Sequence, residues 1–586
     1  VKKCKSDYYI NLINQNKSNV TALWNTLNEI TSRRSSSPVT CIEVDGVQHN
    51  QAKSISETLN NHFCSIGSKL VAKLKSDMAH NNQPTQVSTK HDIDEFHFHP
   101  IDELFVCSQL SKLKANKATG LDRITARLLK DAAVQITPVL TNLLNRSLLS
   151  STFPRAWKSG KVVPLYKSGD RCNPSNYRPI TVLPTVSKIL EKAVDTQVYR
   201  YLLQHKILSP RQFGFRPKLS TEVALIDFTD FILGNMDKDC VTGAVFLDLS
   251  KAFDTIDHDS LLHKLTKVGF SSSSIDWFQS YLSDRTQVTC VGDSGSSAKH
   301  VSVGVPQGGV LGPLPFIIYI NELSSVVNSC ELLLYADDTV IYYSSSNIRD
   351  LEQKLNSDLT NLCQWFNNNF LTLNVSKCKF VLFGSQRKVR SCSQLSLKIN
   401  DHVLERKDSF KYLGVTIHEN MSWSDHTEIP RKISQRLSLL GRIRHLLPLH
   451  ARLTICNSLI LPLFDYADIA WGDKNNIIHM DHLQILQNNA ARLILDMLKY
   501  FSASKALEQL NWKPLSVRRC HHRCIAIFKC LNKLADFDFN IIRNTDVHSY
   551  NTRSSDDINI PRSRTNWGKQ RFITHAAMDW NTLELK

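Results

Sequence analysis

The chain has 586 residues, of which 42% are hydrophobic, which is enough material for several domains with buried cores. Lysine and arginine number 71 against 54 acidic residues, a formal net charge of +17, so the composition favours a polyanionic partner such as nucleic acid. No apolar run reaches the roughly 18 residues of a membrane span, and the 15 cysteines have no regular spacing, which argues against a disulfide scaffold.

The first 95 residues predict a helical extension without a recognisable chemical motif. Apolar residues recur at helical spacing over Val20–Ile30 and from Ile55 to Leu74. Two further helices are predicted on either side of the segment from Ala115 to Asp122, in which Gly120 suits a helix C-cap.

A pair of strands joined by a basic loop is predicted next. The apolar runs are Lys161 to Tyr166 and Ile180 to Leu183, and polar residues lie between them. Three cationic residues sit at the strand ends or in the loop, where both a solvated role and a phosphate contact are open: Lys161, Lys167 and Arg178. The fork of an arginine can bind phosphate oxygens through two hydrogen bonds.

The segment VTGAVFLDLSKAFD, which begins at Val241, predicts a buried strand that ends at a carboxylate. Its apolar run stops at Asp248, and a helix is predicted to follow and to carry Phe253 five residues further on. Asp254, Asp257 and Asp259 are expected to accompany a helix N-terminus instead of binding metal.

Paired strands are predicted over Thr286 to Val291 and Val301 to Val305, and they lead into the sequence PQGG. Glycine at position 308 lets the backbone approach a base pair or sugar, and Gln307 has the length to reach the minor-groove edge of a nucleotide. A plain turn is the alternative for the same four residues.

A helix is predicted from Val310 to Ile320. Two of the residues here weaken it. Gly309 precedes it, and Pro315 within it is expected to cost about 3 kcal/mol.

The sequence ELLLYADDTVIYY, from Glu331 to Tyr343, predicts a β-hairpin with two acids at its turn. Apolar runs flank Asp337 and Asp338. Adjacent carboxylates between buried strands are costly, because each raises the pKa of the other and each resists desolvation. If the strand that ends at Asp248 is a neighbour of this hairpin, the three acids can hold two divalent cations about 3.5–4 Å apart, the arrangement used for nucleotidyl transfer.

The remaining predictions follow the hairpin in chain order. A helix is expected from Ile348 to Phe366, a turn carrying Lys377 after it, and a β-hairpin from Phe410 to Ile417. Basic helices are expected beyond residue 419. They could follow the phosphate backbone of a duplex or could be ordinary solvated amphipathic helices. The Cys520 to Cys524 cluster, CHHRC, is interpreted as helical residues without zinc.

Four motifs in a fixed order carry a resemblance: LDLSKAFD, VPQGGVLGP, YADD and FKYLG. Together with KSGDRCNPSNYRPI upstream, they resemble the reverse transcriptases of LINE-type non-LTR retrotransposons, in the Jockey and chicken-repeat-like group. Matching blocks run from about Lys112 to Gly414. The order of four blocks is far more specific than any one of them.

The resemblance implies an α+β, right-hand polymerase fold. The domains it implies are an N-terminal linker or extension (1–95), fingers with a template-contacting N-terminal block (96–235), a palm with the catalytic site (236–418), a helical thumb (419–545) and a basic, loosely structured C-terminal tail (546–586), which is expected to be truncated. An endonuclease domain is expected before residue 1 in the complete protein, and no RNase H constellation is found.

The resemblance also assigns roles to residues. Asp248, Asp337 and Asp338 are expected to hold two Mg²⁺ ions, with Mn²⁺ as a substitute, and Lys377 to act as general acid toward the leaving pyrophosphate. The implied nucleotide-binding residues are Lys161, Lys167, Arg178, Phe253, Gln307 and Gly308, with Phe253 excluding a ribose 2′-hydroxyl. The implied primer grip is Tyr412, Leu413 and Gly414.

The expected partners are an RNA template, a DNA primer or target and deoxynucleoside triphosphates, with no membrane, and the expected location is the nucleus and cytoplasm. Two other functions stay open. An inactive element remnant would bind RNA without incorporating nucleotides. Gly309, Pro315 and the missing endonuclease favour it, because the family that the motifs resemble commonly has serine at position 309 and leucine at position 315. A maturase-like splicing factor would need an intron-binding domain, which the sequence does not indicate.

Overall fold

The structure is a computed structural model, and it describes residues 2–16, 19–31, 39–79, 94–392, 394–423, 428–472, 477–535, 539, 541–547 and 556–583. Within these ranges, every helix is too short or too polar to cross a membrane.

The strands of the described residues form two five-stranded sheets and three two-stranded hairpins. In chain order they are β1 (Ile42–Val44), β2 (Val47–His49), β3 (Ser159–Tyr166), β4 (Tyr177–Val182), β5 (Val241–Leu247), β6 (Arg285–Val291), β7 (Ser294–Gly295), β8 (Lys299–Val301), β9 (Glu331–Tyr335), β10 (Asp338–Ser345), β11 (Lys379–Phe383), β12 (Lys398–Ile399), β13 (His402–Val403), β14 (Glu405–Arg406), β15 (Ser409–Tyr412) and β16 (Val415–His418).

Helices make up most of the rest of the described chain. They are α1 (Lys2–Gln15), α2 (Val20–Ile30), α3 (Ala52–Ala79), α4 (Glu103–Ser111), α5 (Ala126–Asp131), α6 (Ala133–Leu149), α7 (Thr185–Gln204), α8 (Thr221–Asp237), α9 (His258–Lys267), α10 (Ser272–Leu282), α11 (Pro313–Tyr319), α12 (Ile348–Asn368), α13 (Gln386–Ser391), α14 (Glu428–Ile443), α15 (Leu449–Leu459), α16 (Leu461–Asp465), α17 (Asp468–Trp471), α18 (Ile477–Ile494), α19 (Ala503–Gln509), α20 (Leu515–Leu531), α21 (Asn544–Val547), α22 (Asn566–Gln570) and α23 (Phe572–Asn581).

The central sheet has the strand order β14-β11-β5-β10-β9. Strand β10 is antiparallel to both of its neighbours, with Thr339 opposite Leu247 on β5 and Asp338 opposite Tyr335 on β9. The prediction that the hairpin is a neighbour of the strand ending at Asp248 is therefore confirmed.

Every residue of β5 is buried, and its two faces belong to two different cores. Ala244 and Phe246 pack in one cluster with residues of α8, whereas Val245 and Leu247 pack in another with residues of α12. Because side chains alternate along a strand, a sheet covered by helices on both faces needs a strand that is apolar throughout. This double cover holds the end of β5, and with it Asp248, in a fixed place.

The lateral sheet has the order β4-β3-β6-β7, with β8 also paired to β6. Helix α3 of the N-terminal region packs across it through Asn60, which is fully buried. The Asn60 amide donates to the Ser297 carbonyl (2.9 Å) and accepts from the Thr289 hydroxyl (3.0 Å). Helix α3 thus packs in the same folded unit as the lateral sheet and is not a free linker.

Helix α11 corrects the prediction made for Pro315. The helix begins at Pro313 and not at Val310, so Pro315 is its third residue and lies in the first turn. The first N–H groups of a helix have no partner within the helix, and the missing N–H of a proline there costs little. The penalty of about 3 kcal/mol expected for a helix interior therefore does not apply.

The segment after Asp248 and the C-terminal segment also differ from expectation. Phe253 lies in a short 3-10 turn, Ala252–Asp254, and the first α-helix starts only at His258. The expected loosely structured tail instead contains α22 and α23, and Phe572 and Ala576 on α23 are buried. Long-range packing, which the local sequence does not reveal, orders this segment.

Candidate active site

Asp248, Asp337 and Asp338 lie at one edge of the central sheet and are called the carboxylate site below. Asp248 directly follows β5, Asp337 lies in the turn after β9, and Asp338 opens β10. The backbone of Asp248 is held from β11 and its preceding turn, because Asn374 N–H donates to the Asp248 carbonyl at 2.8 Å. The three carboxylates that the sequence singled out are thus carried by two adjacent strands.

The electrostatics of Asp338 show how these groups act on one another. The pKa of Asp338 is raised to about 6, first by loss of hydration and then by the negative charges of Asp337 and Asp248. Lys167 and Arg178 act in the opposite direction on the same carboxyl group. A site that concentrates negative charge in this way is suited to a cation.

The donor set fits a hard divalent cation, since it consists of carboxylate oxygens on rigid strands. Lys377 lies beside it, with its Nζ 3.5 Å from Oδ2 of Asp248. The Lys377 side chain is 61% exposed, so its ammonium group can turn toward a ligand. The lysine named by the sequence is therefore next to the carboxylate site.

The cations of the β3–β4 hairpin divide into two groups. Lys167 and Arg178 are exposed and interact with Asp338. Lys161 lies further back on β3, opposite Val182 of β4. The structure therefore brings Lys167 and Arg178 toward the carboxylate site and leaves Lys161 within the lateral sheet.

The turn of the YADD hairpin is held by a segment that the sequence analysis left without a role. Gln212 is buried, and its Oε1 accepts hydrogen bonds from the N–H groups of Gly214 (2.8 Å) and Ala336 (3.2 Å). Ala336 has a φ of +57°, a conformation that is uncommon for residues with a side chain. The Gln212 amide therefore stabilises the turn that presents Asp337.

Gly214→Ala is expected to disrupt this turn. A Cβ at position 214 would lie 2.2 Å from the backbone nitrogen of Ala336, so backbone must move in one of the two segments. We expect a loss of about 1–3 kcal/mol in stability, as for overpacking, and a larger relative loss of nucleotide incorporation. Urea unfolding and primer extension measure the two effects. Gly234→Ala is the control, since a Cβ there would lie no closer than 3.5 Å to its nearest neighbour, the Arg571 side chain; equal activity in both variants would contradict the role of this contact.

The PQGG loop joins the lateral sheet to the turn after Asp248. The Gln307 carbonyl accepts from Thr181 N–H of β4 (2.7 Å), and the Gln307 side chain donates to Asp254 (2.6 Å). Gly308 has a φ of +118°, and a Cβ there would lie 2.5 Å from the Thr181 carbonyl oxygen. Glycine is therefore required at 308 because the Thr181 backbone lies against it, and the predicted approach to a base pair or sugar stays a prediction.

Phe253 is partly buried between two aromatic rings. It stacks on Phe316 of α11, with ring centroids 4.5 Å apart, and meets the edge of Phe215 at 6.1 Å. Phe215 is 48% exposed and Phe213 is buried, so the first presents its ring at the surface and the second packs in the core. The stacked position of Phe253 fixes its ring relative to the strand end at Asp248.

The β15–β16 hairpin places the three predicted primer-grip residues together. Tyr412 is buried and close enough to Asp338 for that carboxylate to contribute to a raised Tyr412 pKa, although burial is the larger cause. Leu413 and Gly414 form the turn with positive φ angles. The Tyr466 hydroxyl donates to the Leu413 carbonyl at 2.6 Å, which ties this turn to the helices after residue 428.

A second group of potential metal ligands lies away from the carboxylate site. Among the described residues, ligand atoms of Asp465, Asp468 and His522 all lie within 4.8 Å of one another. Asp465 is paired with Arg518, and the buried Asp468 accepts from His522. His522 belongs to the CHHRC cluster, which forms part of α20 as predicted. These acids already have protein partners.

The sequence analysis missed three features of the site: the Gln212 support, the Asp254–Gln307 bond and Gly67. A Cβ on Gly67 of α3 would lie 2.1 Å from the carbonyl oxygen of Asp254. A glycine inside a predicted helix is a signal of close packing and could have marked this position. The other two contacts join distant parts of the chain, and no local pattern indicates them.

Strand-borne carboxylates, cations facing them from a second sheet, and a hairpin that helices hold beside them are the arrangement of a right-hand polymerase fold. Comparison with known proteins agrees, because residues 165–417 match the family model described as reverse transcriptase (RNA-dependent DNA polymerase).

Named relatives give a closer placement. The chain is 31% identical over 446 residues to the RNA-directed DNA polymerase from mobile element jockey of Drosophila melanogaster, covering 70% of this chain and 48% of the relative. It is 28% identical over 438 residues to a probable RNA-directed DNA polymerase from transposon BS of the same organism, covering 72% and 48%.

The probable RNA-directed DNA polymerase from transposon X-element, also of Drosophila melanogaster, is 28% identical over 405 residues, covering 67% of this chain and 44% of the relative. Residues 165–417 thus match a reverse transcriptase domain, and the similarity to polymerases of mobile elements supports the LINE-type reverse transcriptase that the motifs indicated. The chain spans about half the length of these relatives.

Proposed function

We propose that this chain is an RNA-directed DNA polymerase that copies retrotransposon RNA into DNA. The observation that carries the proposal is the carboxylate site, where strand β5 and the adjacent β9–β10 hairpin carry Asp248, Asp337 and Asp338 at one edge of the central sheet. Loss of hydration and then the charges of Asp337 and Asp248 raise the pKa of Asp338, and Lys167 and Arg178 oppose that rise. Nucleotidyl transfer needs this combination of anionic metal ligands and cationic phosphate contacts. RNA template, DNA primer and deoxynucleoside triphosphates are the proposed partners.

Asp248, Asp337 and Asp338 would hold two Mg²⁺ ions, which lower the pKa of the primer 3′-hydroxyl and stabilise the leaving pyrophosphate. The chain's own residues complete the site. Lys167 and Arg178 bind the triphosphate, and Lys377 gives a proton to the pyrophosphate as it leaves. Phe253 excludes a ribose 2′-hydroxyl, Gln307 and Gly308 contact the nucleotide, and the turn of Tyr412, Leu413 and Gly414 holds the primer end.

Lys161 is the one proposed nucleotide contact that lies away from these groups, opposite Val182 on the far part of β3. We assign residues 96–235 to the fingers, 236–418 to the palm and 419–545 to the thumb. Helix α3 of residues 1–95 packs on β6 of the palm range, and β6 in turn pairs with β3 of the fingers range. A role in copying the element's RNA into a chromosome would place the protein in the nucleus after synthesis in the cytoplasm.

The alternative of an inactive remnant loses one of its supports. Pro315 lies in the first turn of α11, where proline is tolerated. Gly309 stays a departure from the family pattern, and a Cβ there would lie 2.9 Å from Oε2 of Glu191.

Primer extension tests the template and substrate specificity of the proposal. The proposed enzyme extends a DNA primer on RNA with deoxynucleotides and discriminates against ribonucleotides. Phe253→Ala should admit ribonucleotides and leave deoxynucleotide incorporation measurable. Equal use of both sugars by the parent chain would contradict the role given to Phe253.

A further inference from the structure

Asp254 and Gln307 form a hydrogen-bonded pair that none of the roles above explains. Nε2 of Gln307 donates to Oδ1 of Asp254 at 2.6 Å, a short bond of the charge-assisted kind. Burial raises the pKa of the Asp254 carboxyl group, and the bond from Gln307 and the charge of Lys251 offset part of that rise. Asp254, a partly buried acid one residue after Phe253, therefore accepts its side-chain hydrogen bond from Gln307.

The backbone around the pair is fixed on both sides. Val305 N–H donates to the Phe253 carbonyl at 3.0 Å, which ties the segment between β8 and PQGG to the turn after Asp248. The Gln307 carbonyl accepts from Thr181 N–H at 2.7 Å. With the main chain held in this way, the Gln307 side-chain amide is the part that still needs an anchor, and Asp254 supplies it.

The anchor decides which way the amide faces. A glutamine side-chain amide has a donor, Nε2, and an acceptor, Oε1, and a rotation of about 180° around the last side-chain bond exchanges their positions. A carboxylate accepts only, so it selects the orientation in which Nε2 faces Asp254 and Oε1 faces away. A group that binds Gln307 from the side opposite Asp254 then meets the acceptor, Oε1, in one defined orientation.

Helix α3 packs against the turn that carries Asp254. Gly67 approaches Asp254 so closely that a Cβ would lie 2.1 Å from the Asp254 carbonyl oxygen. Phe63 and Cys64 of the same helix line a cavity together with Asp254 and Gln307. The turn that carries Asp254 is therefore confined between α3 and the PQGG loop.

We propose that Asp254 is a positioning residue that orients the Gln307 amide for the incoming deoxynucleotide, and not a ligand of the catalytic cations. The proposal rests on the polymerase function inferred above, because that function gives Gln307 its nucleotide. Loss of the bond from Gln307 to Asp254 should weaken nucleotide binding more than it slows the chemical step, since the Asp254 carboxylate is bonded to Gln307 and is not part of the carboxylate site.

Steady-state primer extension on an RNA template tests this with four variants. Asp254→Ala should raise the KM for deoxynucleotide about tenfold, as expected for one lost hydrogen bond to a charged group, and change kcat less than about twofold. Asp254→Asn keeps an acceptor and should stay within about threefold of the parent KM. In a Gln307→Ala background, Asp254→Ala should change KM less than about twofold, because its target is gone.

A variant in which the acid and the amide exchange positions, called the reversed pair, distinguishes loss of the hydrogen bond from failure to fold. Gln307→Glu places two carboxyl groups together and should raise KM, and adding Asp254→Asn should restore a donor and lower KM again. Three results would each overturn the proposal. Asp254→Ala could raise KM as much in the Gln307→Ala background as in the parent, or it could leave the KM of the parent unchanged. The third is that adding Asp254→Asn to Gln307→Glu does not lower KM. Thermal melting of every variant identifies general loss of structure.

Equilibrium binding separates failure of this proposal from failure of the polymerase proposal. With a primer that lacks a 3′-hydroxyl, deoxynucleotide binding to the protein–primer–template complex needs no catalysis. If the parent binds but does not incorporate, the polymerase proposal fails, and the dissociation constants of the same variants still judge Asp254. If the parent binds no deoxynucleotide, both proposals are overturned.

Discussion

Asp248→Asn is expected to lower RNA-templated deoxynucleotide incorporation by on the order of 10³-fold, because it removes one full charge from a site that stabilises transition-state charge through bound cations. The fold should tolerate the change. The Asp248 carbonyl accepts from Asn374 N–H and its own N–H donates to Sγ of Cys378, and neither bond uses the carboxylate. The side chain is 39% exposed, so the asparagine amide reaches solvent.

Single-turnover primer extension at a fixed Mg²⁺ concentration measures this loss. Asp259→Asn is the matched control, since Asp259 is an exposed acid in the first turn of α9 and is expected to retain activity within about twofold. A similar loss in both variants would point to net charge, not to the carboxylate site, as the source of the effect.

The largest effect on stability is expected from the buried ion pair that joins α20 to α23. Nε of Arg523 lies 2.7 Å from Oδ2 of Asp579, and the two side chains are only 2% and 8% exposed. Removing one partner of such a pair leaves an uncompensated buried charge and costs about 3–5 kcal/mol. Asp579→Asn should therefore open α23 at much lower urea concentration, measured as faster amide hydrogen exchange in α20 and α23.

Two comparisons test the cause of that loss. Asp131→Asn removes an exposed pair with Arg127, whose side chains are 67% and 79% exposed, and should cost less than about 1 kcal/mol. Arg523→Met combined with Asp579→Leu removes both charges and should recover much of the stability. Exchange in the double variant as fast as in Asp579→Asn would contradict the ion-pair explanation.

The parts of the fold set by local pattern could be predicted from the sequence. The two apolar runs that flank the acids in ELLLYADDTVIYY predicted the β9–β10 hairpin, and helical spacing predicted α12, whose Leu351 and Leu355 are buried as expected. The order of the motifs placed Asp248 beside the hairpin. These features depend on residues that are close in sequence or on a familiar order of blocks.

Other parts depend on partners far along the chain. Arg523 and Asp579 are 56 residues apart, and nothing near either residue indicates the other, which is why α23 was expected to be loose. The error over Pro315 has a different cause, because the start of α11 was placed three residues too early. Gly312 and Pro313 in fact supply a typical helix start, with proline at the first position.

The most direct measurement is deoxynucleotide incorporation on an RNA template with a DNA primer in Mg²⁺, comparing the parent chain with Asp337→Asn. The proposed mechanism predicts incorporation by the parent and none above background in the variant, with equal RNA binding by both. Folded, RNA-binding parent protein that incorporates nothing would contradict the polymerase function and favour an inactive RNA-binding remnant.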